Sequence, residues 1–420
     1  MSGYRLIHRE QLLGEDTAVW SLVSTPLICR RSVATSGKST ATNEALSWRI
    51  WAGCSDGLIR TYKVNEVSLA QKESSLTASA LSFGEQPTHI LKPSAAESSV
   101  ALGCASLSIL RNYAGEDDAA GNVVVAGMDL AGIARLWELE ENFDQDEGET
   151  ATDKSLSAVE LLPTMELTLP QATGTSLALA PPRTIMPDLK CLLIAVAFLD
   201  GSVSLISTGI KVPTAVDDGK LRLPEAGTVV QTWSPGAPMA CRLVFRPNMP
   251  QLAVSRQDGT IDLIPISSSA STEESKQRLH RLSQLATSPS RALSFTTDGS
   301  LLVAGNDQGR LMIWDVTRPN GVPAVVNHQV EATAGSSWLW QLSPLDGRRF
   351  LSLATDRTIR VWQVDQIHHQ PLHSFTSSDD IRLWSISGQA LESKHNPHPP
   401  RMVSGSENGW LQVYSLVEKV

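Results

Sequence analysis

No Cys-x-x-Cys pair occurs in this 420-residue sequence, and its five cysteines, Cys29, Cys54, Cys104, Cys191 and Cys241, stand far apart. An odd, scattered set argues against a disulfide framework or a cysteine-rich zinc site, and it fits a reducing intracellular compartment. Long apolar runs are missing too. The most apolar stretch, Cys191 to Leu199, is far shorter than the roughly 18–20 residues that span a bilayer. The opening Met1-Ser2-Gly3-Tyr4-Arg5 lacks the apolar core of a secretory signal. No membrane segment is expected. Basic residues are in the minority, 35 against 44 acidic for a net charge of −9. Counterion release then offers little, so direct binding of nucleic acid should be weak.

Catalytic signatures are also lacking. The chain has no HExxH, no GxSxG, no Walker-type glycine loop and no paired-carboxylate motif, so neither an enzyme nor a cofactor nor a small-molecule substrate is expected. The histidines that cluster in sequence, His368, His369 and His373 and then His395 and His398, sit in polar or proline-containing stretches and read as solvated loop residues. Aromatics make up only 5% of the chain, yet Trp (11) equals Phe (7) and Tyr (4) together. Something places tryptophan specifically.

What is present is a repeat. Three segments look alike: Leu302 to Val316, Leu351 to Val364 and Met402 to Leu416. Each is an apolar run, a turn with Asp or Asn and usually Gly, and a second apolar run, which is a hairpin signature. Aligned on the turn glycine, four more copies appear, at Gly57, Gly132, Gly201 and Gly259. Two residues after the turn stand Ile59, Ala134, Val203, Ile261, Leu311, Ile359 and Leu411. Four after it stand Thr61, Leu136, Leu205, Leu263, Ile313, Val361 and Val413. Five after it stand Tyr62, Trp137, Ile206, Ile264, Trp314, Trp362 and Tyr414. Even and odd positions of a strand face opposite ways, so both faces of this strand are buried. An antiparallel sheet buried on both faces belongs between two other sheets, as in a propeller blade. The repeat is degenerate: Arg357 replaces the glycine in the sixth copy, the second copy reads as one residue longer in the turn, and Thr208 interrupts the apolar pattern in the third.

A further strand precedes each hairpin: Val19 to Leu22, Thr175 to Ala178, Cys241 to Phe245, Arg291 to Phe295, Leu339 to Leu342 and Leu383 to Ile386, with Val100 to Leu110 as the second copy. The seventh copy ends at Leu416, leaving no room for an outer strand, whereas Tyr4 to Leu12 is strand-like and precedes the first inner strand. The fold expected is all-β: one seven-bladed β-propeller over residues 1–420, closed by pairing the N-terminal strand with the last blade. Loop insertions are expected near 31–47, 66–95, 138–158, 267–278 and 387–400; the third is acidic.

The hairpin closing on Trp-Asp, clearest at Ile313-Trp314-Asp315, resembles the WD-repeat family over essentially the whole chain. Thr17 to Leu22, Ala292 to Ala304, Ser337 to Leu342, Thr358 to Val364 and Met402 to Tyr414 are similar to the WD-repeat subunits of superkiller (Ski) complexes. The Gly-His pair common in WD repeats is absent, with Gly14-Glu15 where the first would stand. The resemblance implies a non-catalytic scaffold that joins a tetratricopeptide scaffold and an RNA helicase in exosome-dependent mRNA decay. It also implies a cytoplasmic location and a second association, in the nucleus, with the RNA-polymerase-associated factor complex. A generic adaptor, such as a ubiquitin-ligase substrate receptor or a histone-tail reader, is the alternative, and a propeller enzyme a remote one. In WD repeats the second residue of the inner strand lies near the mouth of the ring. Here it is Trp20, Thr175, Cys241, Arg291, Trp340 and Trp384. Trp340, Trp384 and Trp20 are expected to form one aromatic patch with Arg291 beside it, a partner-binding surface of the residue types most enriched at hot spots. The competing reading is that these tryptophans wedge between inner strands.

Overall fold

The computed structural model describes residues 3–11, 17–26, 46–68, 79–83, 87–93, 103–111, 122–140, 158–170, 174–181, 191–212, 223–233, 237–247, 249–266, 280–283, 288–317, 324–331, 337–366, 370–377, 381–389 and 401–417. Among them the chain forms seven β-sheets, antiparallel except for one short parallel pair at a rim, arranged as blades around an axis. The inner strands pack side by side in chain order, and the last (Leu383–Gln389) returns to the first (Val19–Pro26). The result is a closed seven-bladed β-propeller.

Blade 5 is the simplest: Ser290–Phe295, Leu301–Asn306, Arg310–Asp315 and Ala324–Glu331, from axis to rim. The closing blade joins the two ends of the chain. Its outermost strand is Gly3–Gln11, antiparallel to Trp410–Val417, with Tyr4 opposite Leu416 and Glu10 opposite Leu411. Blade 1 is larger than its neighbours. Its third strand, Ile59–Ser68, carries both Ser79–Phe83 and His89–Leu91 on its outer edge, and Val159–Leu161 adds in parallel to the latter. That last strand comes from the chain segment between the third and fourth strands of blade 2, so the two blades are stitched at the rim.

Seven hydrophobic clusters fill the seven clefts between blades. The large residue five after each turn faces the preceding blade: Trp314 packs among Leu263 and Ala253 of blade 4, and Trp362 among Ile313 and Leu311 of blade 5. Most residues two and four after the turn face the following blade, as Ile359 and Val361 do beside Met402 of blade 7. None of the 21 side chains at these three positions is more than 6% exposed. Trp48, Trp51 and Trp233 also prove to be core residues, and the Trp51 indole donates to Thr25 Oγ1 at 3.0 Å. Thr208 is tolerated in the core because its hydroxyl donates to the Leu192 carbonyl at 2.7 Å.

Several expectations need correction. The turn of blade 2 is not longer than the others. Its Gly132 amide bonds Asp129 O three residues back, as Gly57 does to Cys54 and Gly309 to Asn306. The misreading arose because Asp129 closes the preceding strand, where its carboxylate accepts from the Ala131 and Ile133 amides at 2.9 and 3.0 Å, as Asn306 does in blade 5. The inner strand of blade 2 is Cys104–Arg111, later than expected, and Val100 to Leu102 lie outside the described residues. The stretch 66–95 is not all insertion, since it holds the two short outer strands of blade 1. Of the other insertions, 31–45, 141–157, 267–278 and 390–400 lie outside the described residues, as do Cys29, His368, His369, His395 and His398.

Arg357 shows what the missing glycine means. It is the only described non-glycine residue with positive φ, 65°, and its amide still closes the turn onto Ala354 O at 3.1 Å. The left-handed region crowds Cβ against the carbonyl by about 1–2 kcal/mol, partly offset by the greater chain entropy glycine loses on folding. Arg357→Gly should therefore raise stability by about 0.5–1 kcal/mol, read as a higher urea midpoint at unchanged m-value.

Candidate functional site

The inner strands share a local irregularity that organises one face of the ring. In all seven, the register slips at the second residue: Val19 opposes Cys54 while Ser21 opposes Gly53, and Leu339 opposes Ala354 while Gln341 opposes Leu353. The same slip occurs at Cys104/Ser106, Gly174/Ser176, Ala240/Arg242, Ser290/Ala292 and Leu383/Ser385. The extra residue is Trp20, Ala105, Thr175, Cys241, Arg291, Trp340 or Trp384. Such a bulge frees a side chain from the cross-strand ladder and re-aims it. Each bulge sits beside the turn between the second and third strands. In five blades a backbone bond ties the two, for example Thr355 N to Trp338 O and Asp307 N to Pro289 O, at 2.9 and 3.0 Å.

From the bulge the side chain leans onto the following blade. Thr175 Oγ1 donates to Ala240 O of blade 4 at 2.6 Å. Trp340 meets Trp384 edge to face, with ring centroids 5.3 Å apart and planes at 70°. Arg291 lies over the ring of Trp338 at 5.0 Å and forks onto Asp307 at 2.8 and 3.0 Å. Trp20 lies against Gly103 of blade 2, where an added Cβ would overlap its indole and φ is +70°. All four predicted residues are half-buried.

The structure thus brings Arg291, Trp340 and Trp384 together across blades 5, 6 and 7. Trp20 does not complete a stacked trio: it makes no ring contact with Trp384 and leans the other way, toward blade 2, as Thr175, Arg291 and Trp340 lean toward the blades that follow them. The residue missed was Trp338, which at 43% exposure is the one tryptophan among the exposed large hydrophobic residues. Its signal was present in Trp338-Leu339-Trp340, since alternation sends Leu339 into the core and the two indoles outward. The turns of blades 2 and 3 add Leu130 and Leu199, 56% and 48% exposed, to the same face. Two contacting pairs, Trp340 with Trp384 and Arg291 with Trp338, with apolar turn tips on the same side of the ring, make a surface suited to a protein partner.

The described cysteines near this face are not activated nucleophiles. Cys241 sits at a bulge, but burial pushes its thiol up to about 11, and Cys54 and Cys104 deeper in are pushed up to about 12 by the same cause. The recurrent turn acids are occupied locally: Asp56, Asp200, Asp258 and Asp356 each accept the amide two residues on, at 2.9–3.1 Å.

Residues 279–315, from the rim of blade 4 through the third strand of blade 5, match the family model described as WD domain, G-beta repeat. No curated protein sequence matches the chain. The match and the seven like-built blades support a WD-repeat propeller, a fold that serves as a scaffold for protein–protein interaction.

Proposed function

We propose that the protein is a non-catalytic scaffold that binds protein partners on the face where the inner strands begin, with Trp338, Trp340, Trp384 and Arg291 as its anchors. The observation that carries this reading is the Trp340–Trp384 pair: two indoles from neighbouring blades, half-buried at bulge positions, in contact with each other beside a third, exposed indole. Tryptophans needed only for packing lie elsewhere, in the clefts. Trp20 belongs to the same face through its bulge position, one blade further on.

The finer assignment is a superkiller-type subunit, with a tetratricopeptide scaffold and an RNA helicase as partners, acting in cytoplasmic mRNA decay and also present in the nucleus. It rests on the sequence likeness over Thr17 to Leu22, Ser337 to Leu342 and Met402 to Tyr414. Affinity purification of the tagged full chain, followed by mass spectrometry, tests it. Tetratricopeptide and helicase partners are expected; cullin-type or chromatin partners would replace this assignment with that of a ubiquitin-ligase receptor or a histone-tail reader.

A further inference from the structure

The inner strands form the wall of the ring's axis, and that wall differs in charge from the rest of the protein. Val19–Pro26, Cys104–Arg111, Gly174–Leu179, Ala240–Phe245, Ser290–Phe295, Leu339–Pro344 and Leu383–Gln389 contain no aspartate or glutamate. The whole chain holds 44 of them. Arg291 is neutralised by Asp307. Arg242 has no such counter-charge among the described residues.

The position after the bulge has a common task, and Arg242 departs from it. Ser21 donates to Cys104 O at 3.0 Å, Ser106 to Leu177 O at 3.3 Å, and Ser385 to Val19 O at 3.1 Å. Ser176 accepts from Leu243 N at 3.3 Å, and Gln341 both donates to Ile386 O and accepts from its amide. Each bridges to the backbone of the next inner strand, satisfying groups at a sheet edge. Arg242 occupies this position in blade 4, and among the described residues its side chain makes no hydrogen bond and no ion pair. Its strand packs against blades 3 and 5 and lines the axis of the ring, and Arg242 keeps partial exposure there. Burial pulls the guanidinium's pKa down from its ordinary value, and no carboxylate opposes that shift. An arginine desolvated without a partner is a standing demand for an anion.

We propose that Arg242 receives an oxyanion, the carboxylate of an acidic side chain on a protein segment that enters the ring past Trp340 and Trp384. The proposal rests on reading that tryptophan-bearing face as the partner surface. A peptide is favoured over a free ion because the mouth offers indoles, which bind apolar and backbone surface, ahead of the forked cation of Arg242. The guanidinium's planar fork matches a carboxylate in bidentate geometry.

The test is isothermal titration of the purified full chain at low ionic strength with an acetylated hexaglutamate peptide, a hexaglutamine peptide and inorganic phosphate. Hexaglutamate is expected to bind despite the net charge of −9, and Arg242→Gln to weaken it roughly tenfold or more. Glutamine is native at this position in blade 6, so the variant should melt like wild type. Arg242→Lys should retain part of the affinity. Equal hexaglutamate binding by wild type and Arg242→Gln, no binding at all, or equal binding of hexaglutamine would overturn the proposal. Arg242-dependent binding of phosphate without hexaglutamate binding would overturn the carboxylate assignment in favour of a free ion. The same titrations on a Trp340→Ala/Trp384→Ala variant separate the two readings. If that variant keeps its protein partners while hexaglutamate binding stays sensitive to Arg242, the tryptophan surface fails and the anion site stands.

Discussion

Removal of residues 1–12 is expected to lower the melting temperature by roughly 10 °C or more, if the ring folds at all. The segment Gly3–Gln11 is the outermost strand of the closing blade and precedes the inner strand of blade 1 in the chain. Without it, Trp410–Val417 becomes an open edge, and Leu411, Val413 and Tyr414, now 0%, 0% and 6% exposed, lie on that edge strand. At about 1 kcal/mol net per hydrogen bond, a strand of this length contributes about 5–8 kcal/mol, comparable with the roughly 5–15 kcal/mol that holds a typical domain together. A synthetic peptide of residues 1–12 added in excess should restore part of the loss, since it would bind only the folded ring. An unchanged melt after truncation would contradict the closure.

The second large effect concerns charge in the core. Arg256 and Asp262 are each 0% exposed and paired at 2.5 Å across neighbouring strands of blade 4. Arg256 also donates to the carbonyls of Gly201, in the turn of blade 3, and Pro238, in the loop before blade 4, at 2.8 and 2.9 Å. The pair therefore fastens two blades as well as two strands. Asp262→Ala would leave a guanidinium buried without its counter-charge, and the expected loss is about 3–5 kcal/mol, read from urea unfolding. Replacing both partners, Arg256→Met with Asp262→Leu, should be much milder, since no isolated charge remains. A loss below about 1 kcal/mol for the single variant would show that the site relaxes or hydrates.

The parts of this fold that the sequence made legible are those where one position does the same job seven times. The residue five after each turn always fills the cleft against the preceding blade, so the sequence places Trp137, Trp314 and Trp362 by itself. Closure by the N-terminal strand was legible for a similar reason, because an unfinished last copy and an unassigned first strand complement one another. Features made by a single local event were not. Val159–Leu161 is three residues long, and its parallel pairing with His89–Leu91 leaves no periodic mark. The bulge was hidden because register belongs to a pair of strands. Only after the slip at Val19/Ser21 was seen in seven copies could Ala105 be recognised as blade 2's equivalent of Trp20.

The candidate surface was half legible for the same reason. The series Trp20, Arg291, Trp340 and Trp384 came from alignment, but which neighbours meet depends on the direction each side chain leaves its bulge. Trp340 and Arg291 lean forward, so Trp340 finds Trp384, and Arg291 finds Trp338. Trp20 finds Gly103 instead. Arg242 drew no attention because an arginine in a strand is ordinary until its six counterparts prove to be serine, glutamine or alanine.

The central claim, that the tryptophan face grips a protein partner, is tested most directly by one affinity. A partner identified by co-purification is purified and titrated against wild type and the Trp340→Ala/Trp384→Ala variant, with thermal melts confirming that both are folded. Hot-spot tryptophans contribute about 2 kcal/mol or more each, so the double variant should bind roughly 1,000-fold more weakly. A dissociation constant unchanged within about threefold would contradict the claim and make the two indoles packing residues of the inner wall.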